Sequence, residues 1–254
     1  MTTHRSARRT RLAATLAAGA VALLSAVAAC AQGGGQAGNA ASAGAARGLP
    51  PLDSVLNRAS TARQKGPSDA KVTVIEVSDF QCPYCKMFYD STYRRFDSAY
   101  VKTGRVRMVY INYPLPMHNQ AFAAAKAAMC AGAQGKFWEM HDLLFGRQRE
   151  WADQQDAPQR FTRFATELRL DAAQYRDCYD NDRVSPLITN DLTQAASAGI
   201  NSTPTFVINR EKMLNGAIPF AELAAEVDSA IARQSGTPPA GAPPPTPPPT
   251  APRP

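Results

Sequence analysis

Apolar positions along the chain alternate between two rhythms. Lys71 to Ser78 carries Val72, Val74, Ile75 and Val77 in a near-continuous β-branched run, the pattern of a strand buried inside a sheet. From Pro83 to about Val101, Phe88, Tyr93, Phe96 and Tyr100 recur at roughly helical spacing, and Gly104 supplies a stop. Val106 to Asn112 reads as a second strand, ended by Tyr113-Pro114-Leu115-Pro116. Only helical patterns follow from His118 to Gly199. They comprise an alanine-rich helix from Gln120 to Ala133, a helix carrying Phe137, Trp138, His141, Leu144 and Phe145, and a polar loop from Gln148 to Pro158. Stripes at Phe161, Phe164, Ala165 and Leu168, then Tyr175 and Cys178, then Val184, Ile188, Leu192 and Ala195 complete the segment. Strands return at Thr205 to Asn209 and Met213 to Ala217, and a helix from Phe220 to Ala232 with Leu223, Val227 and Ile231 on one face closes the pattern.

This order predicts an α/β core interrupted by an inserted all-helical domain. The expected divisions are a first α/β part over 66–117, the helical insertion over 118–199 and a second α/β part over 200–234. Ahead of residue 66, Leu52, Val55 and Leu56 suggest a short helix, and Gly66-Pro67-Ser68-Asp69 supplies turn chemistry before the first strand.

Both ends of the chain have a different composition. Residues 1–29 carry Arg5, Arg8, Arg9 and Arg11, then an Ala/Leu/Val stretch, and no acid, which is the pattern of a secretory signal peptide. A membrane-spanning anchor is the competing reading, but the stretch is alanine-heavy, barely long enough to span and has no positive flank after it. A tether over 30–65 follows, glycine- and alanine-rich from Gln32 to Gly48. At the other end, ten of the 20 prolines lie between Pro238 and Pro254, so a Pro-rich tail over 235–254 is expected to be disordered with polyproline II character.

Charge narrows the function classes. The formal charge of +7 includes four arginines of the leader, and removing them leaves +3 with no basic run of the kind that binds nucleic acid.

The chemistry centres on Phe80-Gln81-Cys82-Pro83-Tyr84-Cys85-Lys86, where the first strand gives way to a helix. Pro83 suits the first helical turn, which leaves Cys82 among unpaired backbone N–H groups that favour an anion. A free thiol has a pKa of about 8.5, and such settings lower it to roughly 3.5 to 7.5. Cys82 is therefore the expected nucleophile, and Cys85, one turn further in, the resolving thiol. The same spacing serves half a zinc site, which needs two more ligands. No second Cys-x-x-Cys accompanies it, and His4, His118 and His141 form no closely spaced pair, so no metal and no other cofactor is expected.

Val74 to Tyr89, together with Ser202-Thr203-Pro204-Thr205-Phe206-Val207, resembles the DsbA-like branch of the thioredoxin superfamily from about Gly66 to Arg233. The resemblance implies a thioredoxin-like fold with an inserted all-helical domain. It also implies a cis Pro204 lying against the cysteine pair, and a buried Glu76 that moves protons for Cys85. Pro83, Tyr84 and Thr203 fall at positions that meet substrate. The implied activity is thiol:disulfide exchange that introduces disulfides into exported proteins, with reoxidation by a membrane quinone reductase of the DsbB or vitamin-K-epoxide-reductase type. Two alternatives stay open: a disulfide reductase or isomerase, since Pro-Tyr between the cysteines also occurs in glutaredoxins, and a tethered chaperone-like binding module without turnover.

Val27-Ala28-Ala29-Cys30 resembles a bacterial lipoprotein box, which would lipidate Cys30 and place the protein in the cell envelope; an ordinary cleavage leaving Cys30 as a free thiol is the alternative. Of the five cysteines, Cys130 and Cys178 then remain and are expected to pair in an oxidising compartment, against two separately buried thiols. His118 and His141 are read as structural histidines with the active-site face as alternative, and Trp138 as core.

Overall fold

The computed structural model describes residues 48–235. The proposed signal peptide, the Cys30 box and the tail from residue 236 onward lie outside the described residues. Five strands form one mixed sheet in the order β1-β3-β2-β4-β5: β1 is Gln64–Lys65, β2 Val72–Ser78, β3 Val106–Asn112, β4 Thr205–Ile208 and β5 Lys212–Asn215. Only β2 and β3 pair in parallel, an arrangement that requires the helical crossover between them. That helix, α2, starts as Pro83–Phe88 and continues through Arg94–Phe96, with π-helical turns at Tyr89–Tyr93 and Asp97–Val101.

Alternation along β2 sends Val72, Val74, Glu76 and Ser78 to one face and Thr73, Ile75 and Val77 to the other. The first face meets the large core with Phe88, Phe96, Phe206, Leu223 and Val227, and the second meets a small cluster around Ala195 and Ile200. The closing helix α9, Phe220–Ser235, lies over the first face, to which Leu223 and Val227 belong.

Between the two halves of the sheet, the described residues fold as helices: α3 Ala121–Gly132, α4 Phe137–Gly146, α5 Gln148–Trp151, α6 Ala157–Glu167, α7 Ala172–Asp180 and α8 Ser185–Ser197. A polar loop was expected from Gln148 to Pro158, but its first four residues form α5. Trp151 explains the turn: fully buried, it donates from Nε1 to Leu144 O at 2.9 Å and packs edge-on against Phe161 at 5.1 Å. A single aromatic anchor thus outweighs the polar local sequence.

The amino-terminal boundary also differs from expectation. The tether was expected to reach residue 65, yet α1, Leu52–Ala62, buries Val55 and Ala59 completely. It packs closely on the alanine-rich α3, where a Cβ on Gly132 would stand 3.5 Å from Ala59 O. Small side chains on both helices permit that approach. Directly after α1, β1 adds an antiparallel edge to β3, with Gln64 opposite Val109. Two residues are too short to show a strand period, which is why the pattern does not reveal β1. Gly66 then turns the chain at φ +87, where a Cβ would lie 2.3 Å from Val106 O, so glycine is required by both conformation and space. A buried ion pair ties these additions together: the Asp191 carboxylate of α8 accepts from Arg63, from Asn112 N at 3.1 Å and from Asn112 Nδ2 at 2.9 Å.

Candidate active site

β2 ends at Ser78 and hands the chain to a turn, Asp79 to Gln81, that is fixed from several sides. The buried Asp79 carboxylate accepts from Gln81 N at 2.7 Å and Leu115 N at 2.9 Å, and its Oδ2 lies 2.6 Å from His118 Nδ1. Phe80 stacks on Tyr110 of β3 at 4.9 Å and leans on Phe145 of α4 at 5.0 Å. Gln148, at the start of α5, donates from Nε2 to Phe80 O at 2.7 Å and to Cys82 O at 3.1 Å. The Gln81 side chain answers in the other direction, donating to Ala152 O at 2.6 Å and accepting from Gln120 N at 2.6 Å. The helical insertion therefore grips the turn that carries the nucleophile. Asp79 and Gln81 stand beside the cysteine motif, and that adjacency is the one signal of their role in the sequence. Gln148 had no sequence signal, because only folding brings it to a segment 66 residues away.

Cys82 occupies the N-cap of α2 in an extended conformation, with Pro83 at the first helical position. Both thiols are free and buried. The Cys82 thiol is brought down to about 6, first by a hydrogen bond from the Cys85 thiol, then by the Thr203 side chain and by the backbone N–H groups of Cys85 and Tyr84, all working against its own burial. Cys85 moves the opposite way. Fully enclosed, its thiol is pushed well above the ordinary value, first by desolvation and then by the proximity of the Cys82 sulfur. One proton between two sulfurs thus stays on Cys85, and Cys82 is the thiolate near neutral pH.

The second motif closes over this pair. Val77 of β2 stands opposite Thr205 of β4, so the residues just before β4 reach the end of β2 where the turn begins. The Thr203–Pro204 bond is cis, and Thr203 O lies 3.6 Å from Cys82 Sγ, positioned to accept from the thiol. Thr203 and Pro204 are buried, whereas Pro83 and Tyr84 are exposed, Tyr84 by 60%.

Glu76 is 1% exposed, two residues before the end of β2. Desolvation raises its carboxyl to about 7, partly offset by Ser78 and by Lys65. Lys65 itself is held over the rings of Tyr93 and Trp138 and pairs with Asp97, so β1, the strand that the sequence pattern does not reveal, supplies a cation that acts on Glu76.

Among the other residues singled out, Cys130 of α3 and Cys178 of α7 form a disulfide with a Cα–Cα distance of 5.7 Å, remote in sequence from the motif. His118 reaches the active-site turn through Asp79, the alternative given for it above. His141 is fully buried among Tyr93, Trp138, Tyr110 and Phe145. Trp138 is partly buried and packs against the core, with the Lys65 ammonium over its ring. Among the described residues no group of three or more His, Cys, Asp or Glu side chains is arranged to hold a metal ion, and no helix is long and apolar enough to cross a membrane.

A strand delivering Cys-Pro-Tyr-Cys to a helix start opposite a cis-proline loop defines the thioredoxin class of thiol sites. Residues 58–229 match the family model described as Thioredoxin, and the chain belongs to that family. Its fold is that of the DsbA-like thiol:disulfide oxidoreductases. The crystal structure of alpha-DsbA1 from Wolbachia pipientis aligns with a TM-score of 0.62 at 18% identity, covering 68% of this chain and 92% of that one. A thioredoxin-like oxidoreductase from Silicibacter pomeroyi aligns with a TM-score of 0.56 at 28% identity, covering 71% of this chain and 98% of that one. By sequence, a protein of Salinispora tropica named Na(+)/H(+) antiporter NhaA 3 is 36% identical over 169 residues, which are 66% of this chain. The chain spans only 24% of the length of that relative.

Proposed function

We propose that this protein is a thiol:disulfide oxidoreductase that donates the disulfide of Cys82 and Cys85 to exported proteins. The observation that carries the reading is the opposite tuning of the two thiols, Cys82 held down to about 6 and Cys85 held well up. A stabilised Cys82 thiolate makes the reduced form favourable and the disulfide correspondingly oxidising. A substrate thiolate attacks Cys82 of the disulfide, Cys85 leaves, and a second substrate thiol displaces Cys82 as the substrate disulfide closes. Thr203 and Pro204 line the approach, with Pro83 and Tyr84 on the exposed side. Glu76, neutral or ionised within easy reach of physiological pH, exchanges the proton that Cys85 gains and loses. Reoxidation is assigned to a membrane quinone reductase of the DsbB or vitamin-K-epoxide-reductase type, and Cys30, as a lipidated residue, to anchorage in the cell envelope. Antiport belongs to the longer relatives and is not carried over to this chain.

The reduction potential of the Cys82–Cys85 pair, with oxidative refolding of a reduced substrate and insulin reduction measured on the same preparation, tests the reading. An oxidising potential with efficient refolding is expected. A strongly reducing potential with fast insulin reduction makes the protein a reductase instead, and no turnover in either assay leaves a binding module.

A further inference from the structure

Beneath the dithiol lies a set of buried polar groups that the exchange chemistry above uses only in part. Glu76 and Ser78 point to the same face of β2, and Tyr110 of β3 stands in register with Glu76. Ser78 leads directly into Asp79, whose N–H donates to Cys85 Sγ at 3.5 Å. Glu76 and Ser78 are each 1% exposed, and Tyr110 and Cys85 are fully enclosed. Within this enclosed space Glu76 Oε2, Ser78 Oγ and Tyr110 OH have no hydrogen-bond partner among the described residues. Buried oxygens are ordinarily satisfied, and three orphans gathered at one place beside a reacting sulfur require an explanation.

Ser78 is the common neighbour. Its hydroxyl is close enough to favour the ionised forms of Glu76, Cys85 and Tyr110 alike, yet forms no settled hydrogen bond with any of them. A hydroxyl is both donor and acceptor and rotates freely, which is what a proton relay requires and what a carboxylate or thiolate alone lacks. We propose that Ser78 relays the proton between Glu76 and Cys85, a role that rests on the exchange reading above and adds the path by which Glu76 acts.

The steps balance in both directions. When a substrate thiolate attacks Cys82, the Cys82–Cys85 bond breaks and Cys85 leaves with the electron pair. Cys85 then takes the Ser78 hydroxyl proton as the Glu76 carboxylic acid supplies its own proton to the Ser78 oxygen, leaving a Glu76 carboxylate. On reoxidation by a partner disulfide, the Cys85 proton passes through Ser78 to that carboxylate. The Cys85 thiolate then attacks Cys82 in the mixed disulfide and the partner sulfur departs. The charged and titratable groups around the path are Lys65 from β1, Tyr110 from β3, Asp79 from the turn, and Cys82 and Tyr93 from α2; Lys65 is already engaged by Asp97 and Tyr93.

The test is quenched-flow trapping of the full chain, reduced and mixed with glutathione disulfide, with attack by Cys82 and resolution by Cys85 followed separately by mass. Ser78→Ala is expected to leave attack unchanged and slow resolution at least about tenfold near pH 7, with its pH dependence there flattened. Ser78→Thr, which keeps the hydroxyl, is expected to recover most of the rate, and Glu76→Gln with Ser78→Ala to be no slower than Glu76→Gln alone. If Ser78→Ala resolves at the wild-type rate while Glu76→Gln is slow, the relay is overturned and the role of Glu76 stands. Wild-type resolution in both variants overturns the role of Glu76 and the relay with it. Additive slowing in the double variant, or a slow Ser78→Thr, reduces Ser78 to a packing residue and overturns the relay.

Discussion

Two cysteine pairs in one chain have opposite fates. Cys82 and Cys85 are three residues apart and unbonded, while Cys130 and Cys178 are separated by 48 residues and joined. Burial does not distinguish them, since all four lie inside. Their surroundings do. Around Cys82 converge helix-start N–H groups, the Cys85 thiol and the Thr203 side chain, so a negative sulfur is stabilised. Cys130 and Cys178 sit on the core-facing sides of α3 and α7, within the large core. A cysteine becomes a nucleophile or a staple according to the donors around it, as well as to whether a second sulfur is within reach.

The sharpest break of that contrast is Cys82→Ser. Disulfide exchange is expected to fall at least roughly a hundredfold, to background, in insulin reduction and in refolding of a reduced substrate. Cys85→Ser instead accumulates mixed disulfides, visible on non-reducing gels; equal trapping by both variants sinks the assignment of roles. The other pair fails differently. With Cys130→Ala and Cys178→Ala, chain entropy for a 48-residue separation sets an upper loss near 4 kcal/mol of stability, read as a lower urea midpoint while exchange with a small disulfide persists. A variant that keeps its stability but loses exchange would reverse the comparison.

Glu76 gives the next effect, through pH. Its folded carboxyl is raised from 4.5 to about 7. Between those values the folded chain holds a proton that the unfolded chain has lost, so its contribution is complete below 4.5 and is lost as pH rises through 7, amounting to about 3 kcal/mol. Glu76→Gln should remove that dependence. Oxidised protein is the material to use, because in reduced protein Cys82 acts with the opposite sign: its lowered thiol stabilises the fold above the ordinary thiol range, and that contribution is lost as pH falls through about 6. Parallel stability curves for wild type and Glu76→Gln between pH 4 and pH 8 would place the carboxyl in water instead.

The smallest effect is expected at Gln148. Gln148→Leu strips a donor from Phe80 O and Cys82 O, for a loss of about 2 kcal/mol, and frees the turn that presents the thiolate. The pH midpoint of Cys82 alkylation is expected near 6 in the wild type and higher in the variant. An unmoved midpoint would limit Gln148 to holding the insertion in place.

Much of the architecture was legible along the chain. The β-branched run of β2 and the seven-residue β3 were found within a residue of their observed ends, because each is long enough to show its period. β5 was expected at Met213 to Ala217 and lies at Lys212–Asn215. Gly216, at φ +89, bends the chain away before Ala217. The two-residue β1, the single-turn α5 and the docking of α1 escaped, since each is set by a distant partner: β3, the Trp151 pocket and α3.

At the site the division follows the same physics. By itself the sequence determined that two cysteines three apart open a helix after a buried strand, since local spacing and an early proline act over a few residues. It also determined that Glu76 lies among apolar neighbours in that strand. Folding alone settled that Gln148 would hold the turn, that Lys65 on an edge strand would act on Glu76, and that Ser78, Glu76 and Tyr110 would gather under Cys85 without partners. Hydrogen bonds and desolvation depend on distances of a few ångströms between groups tens of residues apart, and no local pattern encodes those distances.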